Sequence, residues 1–333
     1  MDYAVILTNS LQAAFGPLAV FYALLALGLN IHFGYAGLLN FGQAGFAMLG
    51  AYSIAVMSTT YGLSLWIGVL AAIVSATIFA LLLGIPTLRL RADYLAIVTI
   101  AAAEILNLVI RSPSSTPVTN GTRGISQFSQ GFDAVAPWDT AARFDFFGIR
   151  YSGKDLWNMT VGWSLVALVC LLTWMLMRSP WGRVLKAIRE DEDAARSLGK
   201  NVYLFKMQAL ILGGIIGALG GVMYAFNVTT AQPDAYQTSV TFFAYTVLIL
   251  GGAARVFGPV VGAILFYFLL AFTENVLVQL TAGSDPLIPP EILTRSDAFQ
   301  IRFIIVGIGL MLLLIFRPQG IFGDRREVSL DAR

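Results

Sequence analysis

The run LSLWIGVLAAIVSATIFALLLGI (Leu63–Ile85) decides the fold class, because its 23 positions carry no charged residue. A helix that crosses a bilayer needs about 20 predominantly apolar residues. Working outward from this run, eight more segments of similar character follow. They are Leu11–Leu29, Leu38–Met57, Tyr94–Ile110, Met159–Met177, Met207–Val228, Thr241–Gly251, Val260–Leu280 and Ile301–Phe316. Leu38–Met57 is interrupted by Asn40, Gly42, Gln43, Gly45 and Gly50, and Thr241–Gly251 is short. The reading predicts an all-α integral membrane protein, a polytopic bundle of about nine helices forming one domain over residues 1–333.

Bulk composition agrees. The 333 residues are 57% hydrophobic and 12% charged. A soluble domain carries about twice that charge. Disorder needs low hydrophobicity and is excluded. One cysteine, Cys170, forms no internal disulfide and reads as a buried inert thiol. One histidine, His32, rules out a His-based metal cluster, so no metal is expected.

Charge distribution sets the orientation. Lys and Arg concentrate in cytoplasmic loops. With Ser179–Lys206 and the tail 317–333 inside, 14 of the 21 basic residues lie on that face, Arg89, Arg91 and Arg255 among them. Nine spans then put the N-terminus outside and the C-terminus in the cytoplasm. Met1–Ser10 has no basic residue, so it reads as a retained first helix rather than a cleaved signal. The loop 111–157 is external, rich in small polar and aromatic residues, and reads as a small cap. A second external loop, Ser284–Asp297, is Pro-rich and acidic.

Inside the lipid, Gly213, Gly217 and Gly221, and then Gly258 and Gly262, repeat at four-residue spacing. Small residues so spaced let helix backbones approach closely. Ionisable groups in lipid are costly and few. Glu104 lies roughly 16 Å along its helix from Asp93, with Asn107 three residues on. Asn40, Gln43, Glu104, Asn107 and Glu274 are the candidate lining of a solute path, and a structural network is the equal alternative. No row of acids across several helices forms a proton relay.

The inner segment 178–206 is the most informative polar stretch. Ser179-Pro180 starts a helix. Trp181, Val184, Leu185 and Ile188 form an amphipathic stripe. An acidic run, Glu190 to Asp193, precedes Ala194, Ala195, Arg196 and Leu198, and Gly199 is a stop. Glu192 and Arg196 form an i,i+4 pair. Such a segment suits docking into a protein groove, although a solvated loop has the same pattern. The chain has no GxxxxGK[ST], HExxH, CxxC or GxSxG motif. A nucleotide-driven process therefore needs a separate nucleotide-binding subunit.

Several runs resemble branched-chain amino acid ABC transporter permeases of the LivM type. They are GYAGLLNFGQAGFAMLGAY (Gly34–Tyr52), LRLRADYLAIVTIAAAEI (Leu88–Ile105), RSPWGRVLKAIREDEDAARSLGKNV (Arg178–Val202), AQPDAY (Ala231–Tyr236), GGAARVFGPVVGA (Gly251–Ala263) and FRPQGIFG (Phe316–Gly323). Ala92 stands where the family usually has Gly. The resemblance implies a permease subunit of an ATP-driven importer of Leu, Ile and Val in the bacterial inner membrane. Its implied partners are a second permease, two cytoplasmic ATPases and a periplasmic substrate-binding protein, with no nucleic acid. ATP and Mg would be bound by the ATPases, so this chain would hold no cofactor and be no enzyme. It further implies that Arg189, Glu190, Asp191, Glu192, Asp193, Ala194, Ala195, Arg196, Leu198 and Gly199 form the ATPase-coupling segment. A permease for urea, short amides or another amino acid is the nearer rival. An ion-coupled secondary transporter is the more distant one.

Overall fold

The computed structural model describes residues 3–88, 92–146, 149–281, 295–317 and 319–323. Arg89 and Arg91, the Pro-rich loop as far as Thr294 and the tail beyond Gly323 lie outside the described residues. Its elements are helical almost throughout. In order they are α1 (Tyr3–Phe15), α2 (Pro17–Leu29), α3 (Gln43–Thr59), α4 (Leu65–Thr87) and α5 (Ala92–Arg111). The segment between α5 and the next long helix holds α6 (Thr116–Thr119), β1 (Ile125–Ser126), α7 (Gln130–Asp133), β2 (Arg143–Phe146) and β3 (Ile149–Ser152). Then come α8 (Gly153–Arg178), α9 (Pro180–Glu190), α10 (Glu192–Ser197), α11 (Val202–Val228), β4 (Thr230–Ala231), α12 (Thr238–Gly251), α13 (Gly258–Thr281) and α14 (Arg295–Phe316).

Among the described residues, six helical stretches are long and apolar enough to cross a membrane: Pro17–Tyr35, Leu65–Thr87, Tyr94–Arg111, Gly153–Arg178, Val202–Val228 and Gly258–Thr281. Thr238–Gly251 and Gln300–Phe316 are shorter apolar helices. The expected count of nine is therefore not reached on length and composition. Two particular expectations are corrected. Leu11–Leu29 is not one helix, because Gly16 is extended (ψ 171°) and Pro17 opens α2. A proline has no N–H to donate to the preceding turn, so the helix restarts there. Leu38–Met57 is not one helix either, since α3 begins only at Gln43.

The centre of the bundle is α2 and α11. The Pro17–Tyr35 window is 89% buried and Val202–Val228 72%, against 22–33% for the other four candidate spans. These two helices, with α3, pack on one another through the predicted glycines. A Cβ at Gly213 would overlap the Gly28 carbonyl and His32. One at Gly217 would overlap Gln43, and one at Gly221 the Ala47 carbonyl. On the other side, a Cβ at Gly262 would strike the Val247 carbonyl, and one at Gly258 the Gly252 carbonyl. Except at Gly217, where the neighbour is the Gln43 side chain, backbone meets backbone at these points, which only glycine permits.

After α2 the helix widens into a π-helical turn, Asn30–Tyr35. An irregular segment, residues 37–42, follows, and α3 starts beside the middle of α11. Non-helical backbone at membrane depth is tolerated only when protein satisfies its polar groups. Here Phe41 N–H donates to Thr99 Oγ1 (3.0 Å), Ala44 N–H to Thr241 Oγ1 (2.9 Å), and Tyr245 O–H to the Asn40 carbonyl (3.0 Å).

Residues 111–157 fold onto the bundle. β1 pairs antiparallel with β4, and β2 with β3. Phe132 stacks on Phe226 of α11 at 4.2 Å, and Trp157 Nε1–H of α8 donates to the Phe132 carbonyl.

Candidate functional site

The segment 178–206 is built as an elbow. Pro180 at the first helical position and Ser179 as N-cap start α9. Its apolar stripe buries Leu185 and Ile188. The expected single helix up to Gly199 is corrected to two helices. Asp191 is extended (φ −153°, ψ 107°), and its carboxylate accepts from Ala194 N–H at 2.9 Å. That is an N-cap, so a second helix, α10, starts at the corner. Glu192 and Asp193 in its first turn favour the positive dipole end. Gly199 closes it with φ +75°, a left-handed backbone natural to glycine.

The elbow is anchored inward and open outward. Arg189 donates to the Gly34 carbonyl at 2.6 Å. Glu192 pairs with Lys206 of α11 and with Arg196 (2.9 Å). Ala195 is buried with Ile188 and Val202. Glu190, Asp193, Ala194, Arg196 and Leu198 point to solvent, and Leu198 is 79% exposed.

The candidate path residues fall into three groups that the fold does not join. Asn40 and Gln43 are fully buried. Asn40 Nδ2–H donates to His32 Nδ1 (3.0 Å) and Gln43 Oε1 (3.3 Å), while Gln43 donates to the Gly213 carbonyl (3.2 Å). They hold the irregular segment 37–42. The second group grips the Pro233–Thr238 segment from α5. Asn107 donates to the Pro233 carbonyl at 2.9 Å, Arg111 pairs with Asp234, and Thr238 O–H donates to the Glu104 carboxylate. The third is the Glu274–Arg302 ion pair between α13 and α14, half-buried.

Glu104 differs from Glu274. It is exposed on α5, and among the described residues no cation pairs with it. On the same face of α5 the exposed residues Ile97 and Leu108 lie at i−7 and i+4, and Phe242 is exposed on α12 one turn after Thr238. Phe41 stacks beside Phe242 at 5.5 Å. The face is thus apolar with one carboxylate at membrane depth. Sequence reasoning missed Thr99, Thr241 and Tyr245, whose hydroxyls secure the irregular segment and the start of α3, and Thr238 and Asp234. A polar residue within an apolar run was the available signal for the first three.

The comparisons with known proteins bear on this architecture. Residues 16–315 match the family model described as branched-chain amino acid transport system / permease component. The high-affinity branched-chain amino acid transport system permease protein LivM of Escherichia coli (strain K12) is 32% identical over 91% of this chain and 68% of its own length. A probable branched-chain amino acid transport permease protein LivM of Methanocaldococcus jannaschii is 24% identical over 92% of both. The nucleoside ABC transporter permease protein NupC of Lactococcus lactis is 27% identical over 60% of this chain and 64% of its own. With a family match over nearly the whole helical body, this chain belongs to the branched-chain amino acid transport permeases of the LivM type.

Proposed function

We propose that this chain is a permease subunit of an ATP-driven importer of Leu, Ile and Val in the bacterial inner membrane, with its N-terminus outside and C-terminus in the cytoplasm. A second, related permease completes the pathway. Two ATPases, which bind ATP and Mg, dock beneath, and a periplasmic binding protein delivers the amino acid. The chain itself holds no cofactor.

The observation that carries the reading is the elbow of α9 and α10, rigidly tied to Gly34 and Lys206 yet presenting Glu190, Asp193, Arg196 and Leu198 outward. A rigid tie is what coupling needs. ATP closes the two ATPases, the elbow moves with their groove, and the attached helices rock as bodies that open the pathway to one side at a time. In the co-expressed transporter, Glu190→Lys with Asp193→Lys and Leu198→Asp should lose the ATPases or leave hydrolysis uncoupled from leucine uptake. Full uptake with a normal complex would overturn the docking assignment.

The Glu104 face supports an amino acid over urea or a short amide. A carboxylate facing lipid is strongly disfavoured, so this face borders an aqueous path or a partner. Its apolar surroundings suit an aliphatic side chain, and its carboxylate suits an ammonium group. Vesicle uptake with leucine and urea in competition decides between the solutes.

A further inference from the structure

At the inner foot of α8 lies an open cavity of about 430 Å³. Three cations line it: Arg178 at the end of α8, Lys186 on α9, and Arg255 in the turn between α12 and α13. Among the described residues no Asp or Glu lines it. Its aromatic walls are Tyr35, Trp174 and Phe257. The Arg178 guanidinium sits 4.0 Å above the Trp174 ring, and the Lys186 ammonium 5.8 Å from that of Tyr35. All three cations belong to exposed residues.

A second cavity of about 420 Å³ shares Trp174 and Phe257 with the first. It runs between α8 and α13 and is lined by apolar residues from Trp163 through Cys170 and Leu171. Trp163 and Trp174 are separated by about 16 Å along the helix. That is about half the ~30 Å hydrocarbon core, the depth of one leaflet. The outer flank of α8, with Leu168, Leu172 and Met175 about half exposed, continues the apolar surface.

A basic, aromatic-walled pocket opening into an apolar groove one leaflet long matches a single kind of molecule. We propose that an anionic phospholipid of the cytoplasmic leaflet binds here. Its phosphate meets Arg178, Lys186 and Arg255, and one acyl chain lies in the groove from Trp174 to Trp163. Basic pockets between membrane helices on the cytoplasmic side hold such headgroups, and each Lys or Arg near an anionic surface strengthens binding about fivefold. The pocket joins α8 and α9 to the α12–α13 turn, so the lipid would bridge the base of the elbow and the helical body. This placement rests on the cytoplasmic assignment of 178–206 and not on which solute is carried.

The test is native mass spectrometry of the transporter purified through a tag on this chain in mild detergent. It is offered phosphatidylglycerol or phosphatidylcholine. The wild type should retain phosphatidylglycerol and not phosphatidylcholine. The triple substitution Arg178→Gln, Lys186→Gln, Arg255→Gln should lower its retention on the order of 100-fold. Arg183→Gln, outside the pocket, should leave it unchanged. Ala167→Trp, which fills the groove, should lower it with the cations intact. Equal retention of both lipids, full retention by the triple variant, or displacement by inorganic phosphate alone would overturn the proposal. So would a partner subunit found covering the groove. Leucine uptake plays no part in the readout, so the proposal and the transport reading fail separately.

Discussion

Asn40 donates its side-chain amide to Nδ1 of His32 at 3.0 Å, and this bond fixes the imidazole. Asn40 Oδ1 is already committed to Gly42 N–H, so its amide orientation is set. His32 Nδ1 therefore accepts, and Nε2–H donates to the Leu210 carbonyl at 3.1 Å. The ring is the neutral Nε2–H tautomer and joins the irregular segment 37–42 to α11. Asn40→Ala leaves His32 Nδ1 and Gly42 N–H buried without partners. An orphaned buried group costs about 1–3 kcal/mol. Thermal unfolding in detergent should shift down accordingly, and a midpoint equal to wild type would refute the assignment.

Two glycine substitutions should separate packing from composition. Gly221→Ala drives a methyl into the Ala47 carbonyl, whereas at Gly307 an added Cβ meets nothing within 4 Å. Overpacking of this kind costs about 1–3 kcal/mol. The first variant should melt earlier and the second should match wild type.

Asp191 is a cap, which its charge alone does not disclose. Asp191→Asn keeps an acceptor for Ala194 N–H, and Asp191→Ala removes it, with a loss of about 1 kcal/mol at the corner. In reconstituted transporter, leucine uptake should survive the first change and fall with the second. If both variants fall alike, the charge and not the cap is what matters.

Glu104 makes the fourth case. A charge-assisted hydrogen bond contributes about 1.5–3 kcal/mol, roughly 10- to 100-fold in rate. Glu104→Gln should lower leucine uptake in proteoliposomes within that range, with ATP hydrolysis maintained. Thr238→Val removes only the hydroxyl donor and should reduce uptake less. Unchanged uptake with Glu104→Gln, together with a lower melting temperature, would make the carboxylate structural.

What could be read in the sequence depended on whether a signal was local. Leu63–Ile85 needed only its own hydropathy and is found as Leu65–Thr87. The Gly213, Gly217, Gly221 seam followed from spacing within one helix, and so did the Glu192–Arg196 pair. The break at Gly16 was hidden, because apolar residues on both sides keep the hydropathy high across it, whereas Asn40, Gly42 and Gln43 marked the stretch before α3 as interrupted without showing where the helix starts. A Gly-Pro pair was the visible mark of the first. The second depends on Thr99, Thr241 and Tyr245, which lie far along the chain and look unremarkable where they stand. The corner at Asp191 was hidden in an acidic run, where one capping carboxylate looks like its neighbours.

The irregular segment before α3 and the first turn of α3 have a further meaning for biogenesis. Phe41 N–H finds its acceptor 58 residues later in the chain, at Thr99, and Ala44 N–H finds its own 197 residues later, at Thr241. When the first third of the protein has left the ribosome, Thr99 is present but Thr241 and Tyr245 are not, so the Ala44 N–H and the Asn40 carbonyl have no partner and this stretch is poorly suited to lipid. It must wait at the insertion machinery, or in a water-filled vestibule, until α12 is made. The N-terminal half is thus a nascent chain that stays unfinished until late translation, and a truncation before Thr241 should be cleared by membrane proteases as an orphan.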